Sequence, residues 1–207
     1  MPNFQDPYCY PDTNVLVNKF GIRNHPDLSL IERNVVSTRL AELYVSPIEG
    51  NYDFDHLKKI HGYLFQDIYD WAGQERTVNI SKGGTIFCPV QHILPYANGI
   101  FEKLENDNYL KGLDEKKFTN KAASLLADIN ELHPFREGNG RTQREFIRVL
   151  ALNAGYDLDL NNVPNKLMID ASIQSYYGLN FGFENILNSF LKPLNHDMPG
   201  MQKGMDF

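Results

Sequence analysis

Cysteine is nearly absent: Cys9 and Cys88 are the only two, far apart and without Cys-x-x-Cys spacing. That argues against a thiolate zinc site and against a disulfide-framed scaffold, and predicts free thiols in a reducing cytoplasm. No apolar run of roughly 18 residues occurs, so no membrane-spanning helix is expected. The opening Met-Pro-Asn-Phe-Gln-Asp-Pro-Tyr-Cys-Tyr-Pro-Asp lacks a basic stretch followed by an apolar one, which is not the pattern of an export signal. Positive charge is also short, with 20 Lys and Arg against 26 Asp and Glu for a net charge of −6. A general nucleic-acid binder needs a basic face, so no direct nucleic-acid partner is expected, although a small basic nucleotide pocket is compatible with this balance. Repeats and low-complexity tracts are missing too.

What is present is an ordinary globular composition, 42% hydrophobic and 22% charged over 207 residues, enough for one domain with a real core. Residues 1–13, rich in proline and aromatics, read as an irregular arm. Helical spacing of Leu28, Ile31, Val35, Leu40 and Leu43 predicts a helix over 28–44. Asp55 is the expected N-cap of a second helix carrying Leu57, Ile60, Leu64, Phe65 and Ile68, with Trp71-Ala-Gly73 as its end. Alternation in Thr77–Ile80 and Thr85–Cys88 around Ser81-Lys-Gly-Gly84 predicts a β-hairpin over 76–88, the one convincing strand pair. Helices are expected again over 91–106, 115–132, 141–154, 164–175 and 183–191. The expected architecture is all-α with one β-hairpin.

The chemistry concentrates in His133-Pro-Phe-Arg-Glu-Gly-Asn-Gly-Arg-Thr-Gln-Arg144. This segment links the end of one helix to the start of the next, so Gly138, Asn139 and Gly140 fall at a helix N-terminus. Unpaired amides and the helix dipole make that position an anion site, and glycine lets the backbone approach phosphate closely. Arg141 and Arg144 share a helix face and suit phosphate oxygens. Glu137 is a hard oxygen ligand beside that site, the way Mg²⁺ is usually held together with substrate phosphates. His133 has an unperturbed pKa near neutrality and can accept a proton from an attacking hydroxyl. A base, a metal ligand, an anion nest and two clamps are the parts of phosphoryl-type transfer.

The segment resembles the signature of the Fic family, HxFx(D/E)GNGRxxR, with every defined position filled. Phe65–Gly73 resembles the family's helix end before its flap, Arg76–Pro89 the hairpin flap, and Leu152–Tyr156 the helix end after the motif. The resemblance implies a single Fic-type helical domain over residues 1–192, arm included, with 193–207 as a flexible tail. It implies a protein adenylyltransferase that uses ATP and Mg²⁺ to place AMP on a Ser, Thr or Tyr hydroxyl of a target protein. His133 would then be the general base, Phe135 the buried anchor of the loop and Glu137 the Mg²⁺ ligand. Gly138, Asn139 and Gly140 would form the anion hole, with Arg141 on the β-phosphate and Arg144 on the γ-phosphate. The flap would pair with an extended segment of the target, through Ser81, Lys82 or Phe87. Transfer of UMP, GMP or phosphocholine, and nucleotide or partner binding without turnover, are the alternatives.

Family members are typically restrained by a helix bearing [ST]xxxE[GN], whose glutamate pairs with the second arginine of the motif. Ser29–Asn34, containing Glu32, has the residue types at the wrong spacing; Asn180 with Glu184-Asn185 has the spacing without Ser or Thr. The resemblance therefore implies a separate small antitoxin that supplies the inhibitory helix, a diverged internal helix being the competitor. The setting implied is the cytoplasm of a bacterium, as a toxin, or the catalytic piece of a secreted effector.

Overall fold

The computed structural model describes residues 5–194. Seven helices carry the fold: α1 (His25–Val45), α2 (Phe54–Phe65), α3 (Ile93–Asn106), α4 (Glu115–Leu132), α5 (Asn139–Asn153), α6 (Asn165–Tyr176) and α7 (Phe181–Phe190). Four short strands accompany them: β1 (Ser81–Lys82), β2 (Thr85–Ile86), β3 (Tyr156–Leu158) and β4 (Leu191–Pro193). None of the described helices is long and apolar enough to cross a membrane.

Local chemistry explains most helix starts. Asn24 caps α1 by accepting the Asp27 amide, and Asp114 caps α4 by accepting the Lys117 amide. At α2 the cap is Asp53, not the expected Asp55: Asp53 accepts the His56 amide at 2.7 Å, and Asp55 sits inside the first turn. The same helix ends at Phe65 rather than at Trp71–Gly73. The Phe65 carbonyl accepts the amides of both Ile68, in a tighter three-residue turn, and Tyr69. The next turn continues as Ala72 N to Tyr69 O, so the regular α-helix gives way to tight turns. Gly73, at φ +80, instead closes the following turn against Gly62, where a Cβ would stand 3.2 Å from the Gly62 Cα.

Within the expected hairpin the ladder is only two residues deep, with Ser81 opposite Ile86 and Lys82 opposite Thr85. Gly83 and Gly84 take φ +56 and +86, the paired positive angles that a type I′ turn demands. A second antiparallel pair, unexpected from the sequence, sets Tyr156 opposite Pro193 and Leu158 opposite Leu191. Three-residue strands this far apart show no alternation to read. The expected tail thus begins inside β4, and its remainder, residues 195–207, lies outside the described residues.

The core runs between α2, α4 and α5, where Leu57, Ile60, Leu64, Phe118, Leu126, Phe146, Ile147 and Leu150 are sealed from solvent. Burying an aliphatic or aromatic side chain of this kind stabilises by about 1.5–3 kcal/mol, so this trio forms the rigid floor under the loop joining α4 to α5. Arg148 adds a polar tie: it pairs with Glu145 at 2.6 Å and donates to the Leu43 carbonyl, fastening α5 to α1.

Candidate functional site

The loop over residues 133–138 leaves α4 through His133, whose φ of +42 is a left-handed conformation rare for a residue with a side chain. Arg76 holds it there. This arginine, 2% exposed, donates from Nε to the His133 carbonyl at 2.9 Å and from Nη1 to Val78 O at 2.9 Å. Its Nη2 reaches the carbonyls of Cys88 and Leu132. One guanidinium therefore satisfies carbonyls on both stems of the hairpin and at the end of α4.

The His133 ring lies flat on Phe87, with centroids 3.7 Å apart and planes 15° from parallel. Its Nδ1 faces the Asn130 carbonyl at 3.2 Å. A carbonyl only accepts, so Nδ1 carries the proton and Nε2 is left as a free lone pair. Burial, ahead of the nearby Arg76 and Lys82 charges, pushes the pKa of His133 down to about 4. The ring is neutral at pH 7 and ready to receive a proton.

Further along, Phe135 is buried and stacks on His61 at 3.8 Å. Asn139 ties the turn by a two-way link to the same residue: its Oδ1 accepts from Phe135 N at 2.9 Å and its Nδ2 donates to Phe135 O at 2.7 Å. The left-handed position is taken by Gly138, at φ +84, and a Cβ there would sit 2.3 Å from the Phe65 ring. Only glycine permits that approach. The amides of Asn139, Gly140 and Arg141 have no acceptor among the described residues, because the first bond of α5 is Thr142 N to Gly138 O. Three N–H groups at the positive end of a helix form an anion nest.

The charged side chains surround this nest. Arg144 is largely buried and makes no ion pair or hydrogen bond among the described residues; burial, and then the neighbouring Arg141, hold its pKa below the usual arginine value. Arg141 pairs with Glu32 of α1 at 2.5 Å and stands 3.5 Å from Glu137. Glu137 is half exposed; its Oε1 caps the Gly138 amide at 2.9 Å, and its Oε2 has no partner among the described residues. A single accessible carboxylate beside a phosphate nest fits Mg²⁺, which keeps several waters and leans on substrate phosphates. No cluster of three metal-ligating side chains exists among the described residues, so such an ion would depend on the nucleotide.

The expected site residues therefore divide. His133, Glu137, Gly138, Gly140, Arg141 and Arg144 gather at the junction of α4 and α5, with Phe135 and Asn139 buried beneath them. Of the flap residues, Ser81 and Lys82 are exposed, whereas Phe87 is buried against the His133 ring. Glu32 contacts the first arginine of the motif, not the second, and Glu184 pairs with neither among the described residues.

Sequence reading missed His61 and Arg76. The buried His61 accepts the Gly73 amide on Nδ1 at 2.8 Å, so its Nε2 must donate to the Glu137 carbonyl, 3.0 Å away. Burial drives its pKa to about 3. It supports the backbone of the metal-ligand candidate from below. Its place on the apolar face of α2, one turn from Phe65, was the available signal.

Known proteins resemble this chain in sequence and in fold. The Fic/DOC family model matches residues 51–151. Protein adenylyltransferase VbhT of Bartonella schoenbuchensis is 44% identical over 173 residues, covering 84% of this chain and 36% of that longer protein. The Sinorhizobium fredii protein y4lH, named a probable protein adenylyltransferase, is 40% identical over 84% of this chain and 90% of its own length. Among solved structures, the Bartonella tribocorum effector BepC with bound AMPPNP superposes with a TM-score of 0.87 at 26% identity, over 91% of this chain and 97% of that one. With its motif, fold and relatives in agreement, the chain belongs to the Fic/DOC family.

Proposed function

We propose that this chain is a protein adenylyltransferase that moves AMP from ATP onto a Ser, Thr or Tyr hydroxyl of a target protein. The observation that carries the reading is the neutral His133 beside three amides and an Arg144 that, with His133 Nε2, have no partner among the described residues. The relatives named as adenylyltransferases match 84% of this chain at 44% and 40% identity, which supports the reading.

His133 Nε2 takes the proton of the target hydroxyl as its oxygen bonds to the α-phosphorus. The bond from that phosphorus to the bridging oxygen breaks, and pyrophosphate leaves with the electron pair. The amides of Asn139, Gly140 and Arg141 hold the phosphate oxygens, with Arg141 on the β-phosphate and Arg144 on the γ-phosphate. Glu137 would hold Mg²⁺, which neutralises charge on the α- and β-phosphates when bound. The exposed edge at Ser81 and Lys82 pairs with an extended target segment.

An antitoxin helix acting from outside is part of this proposal, supported by Arg144 having no internal carboxylate partner among the described residues. A bacterial cytoplasmic setting is proposed as well, in keeping with two free, buried cysteines. Incubating the protein with labelled ATP, Mg²⁺ and bacterial lysate should label a target, and His133→Ala should lower the rate about 10²–10⁴-fold. An adduct with a mass other than AMP would reassign the donor; undiminished labelling by His133→Ala would end the base assignment.

A further inference from the structure

Glu32 stands on α1, 109 residues from the loop arginine it meets. Its two oxygens have different partners. Oε1 lies 2.5 Å from Arg141 Nη2, and Oε2 accepts the hydroxyl of Tyr69, a residue that is 1% exposed. On its other side the Arg141 guanidinium rests over the Phe65 ring, 4.8 Å from the centroid. Phe65 is also the ring that Gly138 approaches most closely. Tyr69, Glu32, Arg141 and Phe65 thus form a chain from the core to the anion nest.

The contact with Glu32 engages only Nη2, and neither Nε nor Nη1 of Arg141 has an acceptor among the described residues. Arginine offers five N–H donors in a planar fork, so a carboxylate bound at one nitrogen leaves the rest for another anion. Without Glu32, Arg141 would keep only its longer contact with Glu137, 3.5 Å away, and would be freer to swing among its rotamers beside Arg144, itself unpaired among the described residues. An inhibitory carboxylate has to occupy the clamp it blocks. Glu32 instead leaves Arg144 alone and most of Arg141 open.

We propose that Glu32 is a positioning residue for nucleotide binding: held by the Tyr69 hydroxyl, it fixes the Arg141 guanidinium on the Phe65 ring so that its remaining donors meet a phosphate. The inference rests on the proposed role of Arg141 as a phosphate clamp. Preorganising a clamp strengthens binding because the ordering cost is met before the ligand arrives.

Calorimetric titration with ADP in EDTA tests this without metal or turnover. Glu32→Gln should weaken ADP about ten-fold, the size of one lost charge-assisted hydrogen bond. Tyr69→Phe, which keeps the carboxylate charge and removes only its anchor, should weaken it several-fold and serves if Glu32→Gln fails to fold. In an Arg141→Ala background, Glu32→Gln should add nothing. Binding in Glu32→Gln equal to or tighter than in the unaltered protein would overturn the inference, the tighter case marking Glu32 as a competitor of phosphate. An equal loss with and without Arg141 would also overturn it, since the glutamate would then act through the fold. ADP binding unchanged in Arg141→Ala would remove the clamp itself, and this proposal with it. Absence of AMP transfer alongside an intact ADP cycle would count against the proposed reaction and leave the positioning role standing.

Discussion

Acidification from pH 7 to pH 5 should destabilise this fold by at least roughly 3 kcal/mol, counting two buried neutral imidazoles, His61 and His133. A third, His56, is sealed from solvent, and burial lowers its pKa in the same direction. His61 titrates at about 3 and His133 at about 4 in the native protein. In the unfolded chain each titrates near 6.5 (about the model-peptide value). Between those limits the unfolded state binds protons that the native state refuses, so stability rises with pH and falls on acidification. At pH 5 the solution is about 1.5 units below the unfolded pKa, and at about 1.36 kcal/mol per unit each ring contributes up to about 2 kcal/mol. His61 should give the full amount, since protonation must break its acceptance of the Gly73 amide; His133, partly open at its edge, should give less. Glu42, Asp55 and Asp114, whose pKa values lie below the usual carboxylate range, titrate beneath this window. Urea denaturation at the two pH values measures the difference, and His133→Ala should show a shallower dependence. Equal stability at pH 5 and pH 7, within about 0.5 kcal/mol, would refute the buried neutral pair.

Removing the lid on the base should be visible in the pH profile: Phe87→Ala opens the His133 ring to water, so its pKa moves up from about 4 towards the ordinary value and the acid limb of kcat/KM moves with it. A limb that stays in place would show that Phe87 does not set the environment of the ring. Gly138→Ala should cost about 2–4 kcal/mol, because its Cβ meets the fixed Phe65 ring at 2.3 Å in a left-handed conformation. Thermal or urea denaturation checks this, and near-unchanged stability would mean that the turn can relax.

The catalytic segment was legible because its parts are local. A helix end, glycines and two arginines three residues apart can all be read from neighbours in the chain. What could not be read there are the pairings made between residues far apart in the chain. His61 reaches Glu137 across 76 residues, Arg76 reaches His133 across 57, and Glu32 reaches Arg141 across 109. One residue at each end leaves no periodicity. Which of Ser81, Lys82 and Phe87 faces outward was also beyond the sequence, because alternation within a hairpin does not say which face meets His133, where Phe87 stacks. At α2 the expected cap, Asp55, lies two residues inside the true one, and the entry of the chain from Tyr52, at φ +57, accompanies the choice of Asp53.

Arg76 has a mechanical consequence. The same cation grips Val78 and Cys88, on either side of the hairpin, and the peptide carbonyl of the histidine. If the flap docks its target as proposed, a polypeptide laid along that edge would load the stems, and one planar node would pass the strain to the imidazole. Recognition of the acceptor and alignment of its proton receiver would then be a single motion. A segment that fits the edge poorly would tilt the proposed base away from its own hydroxyl.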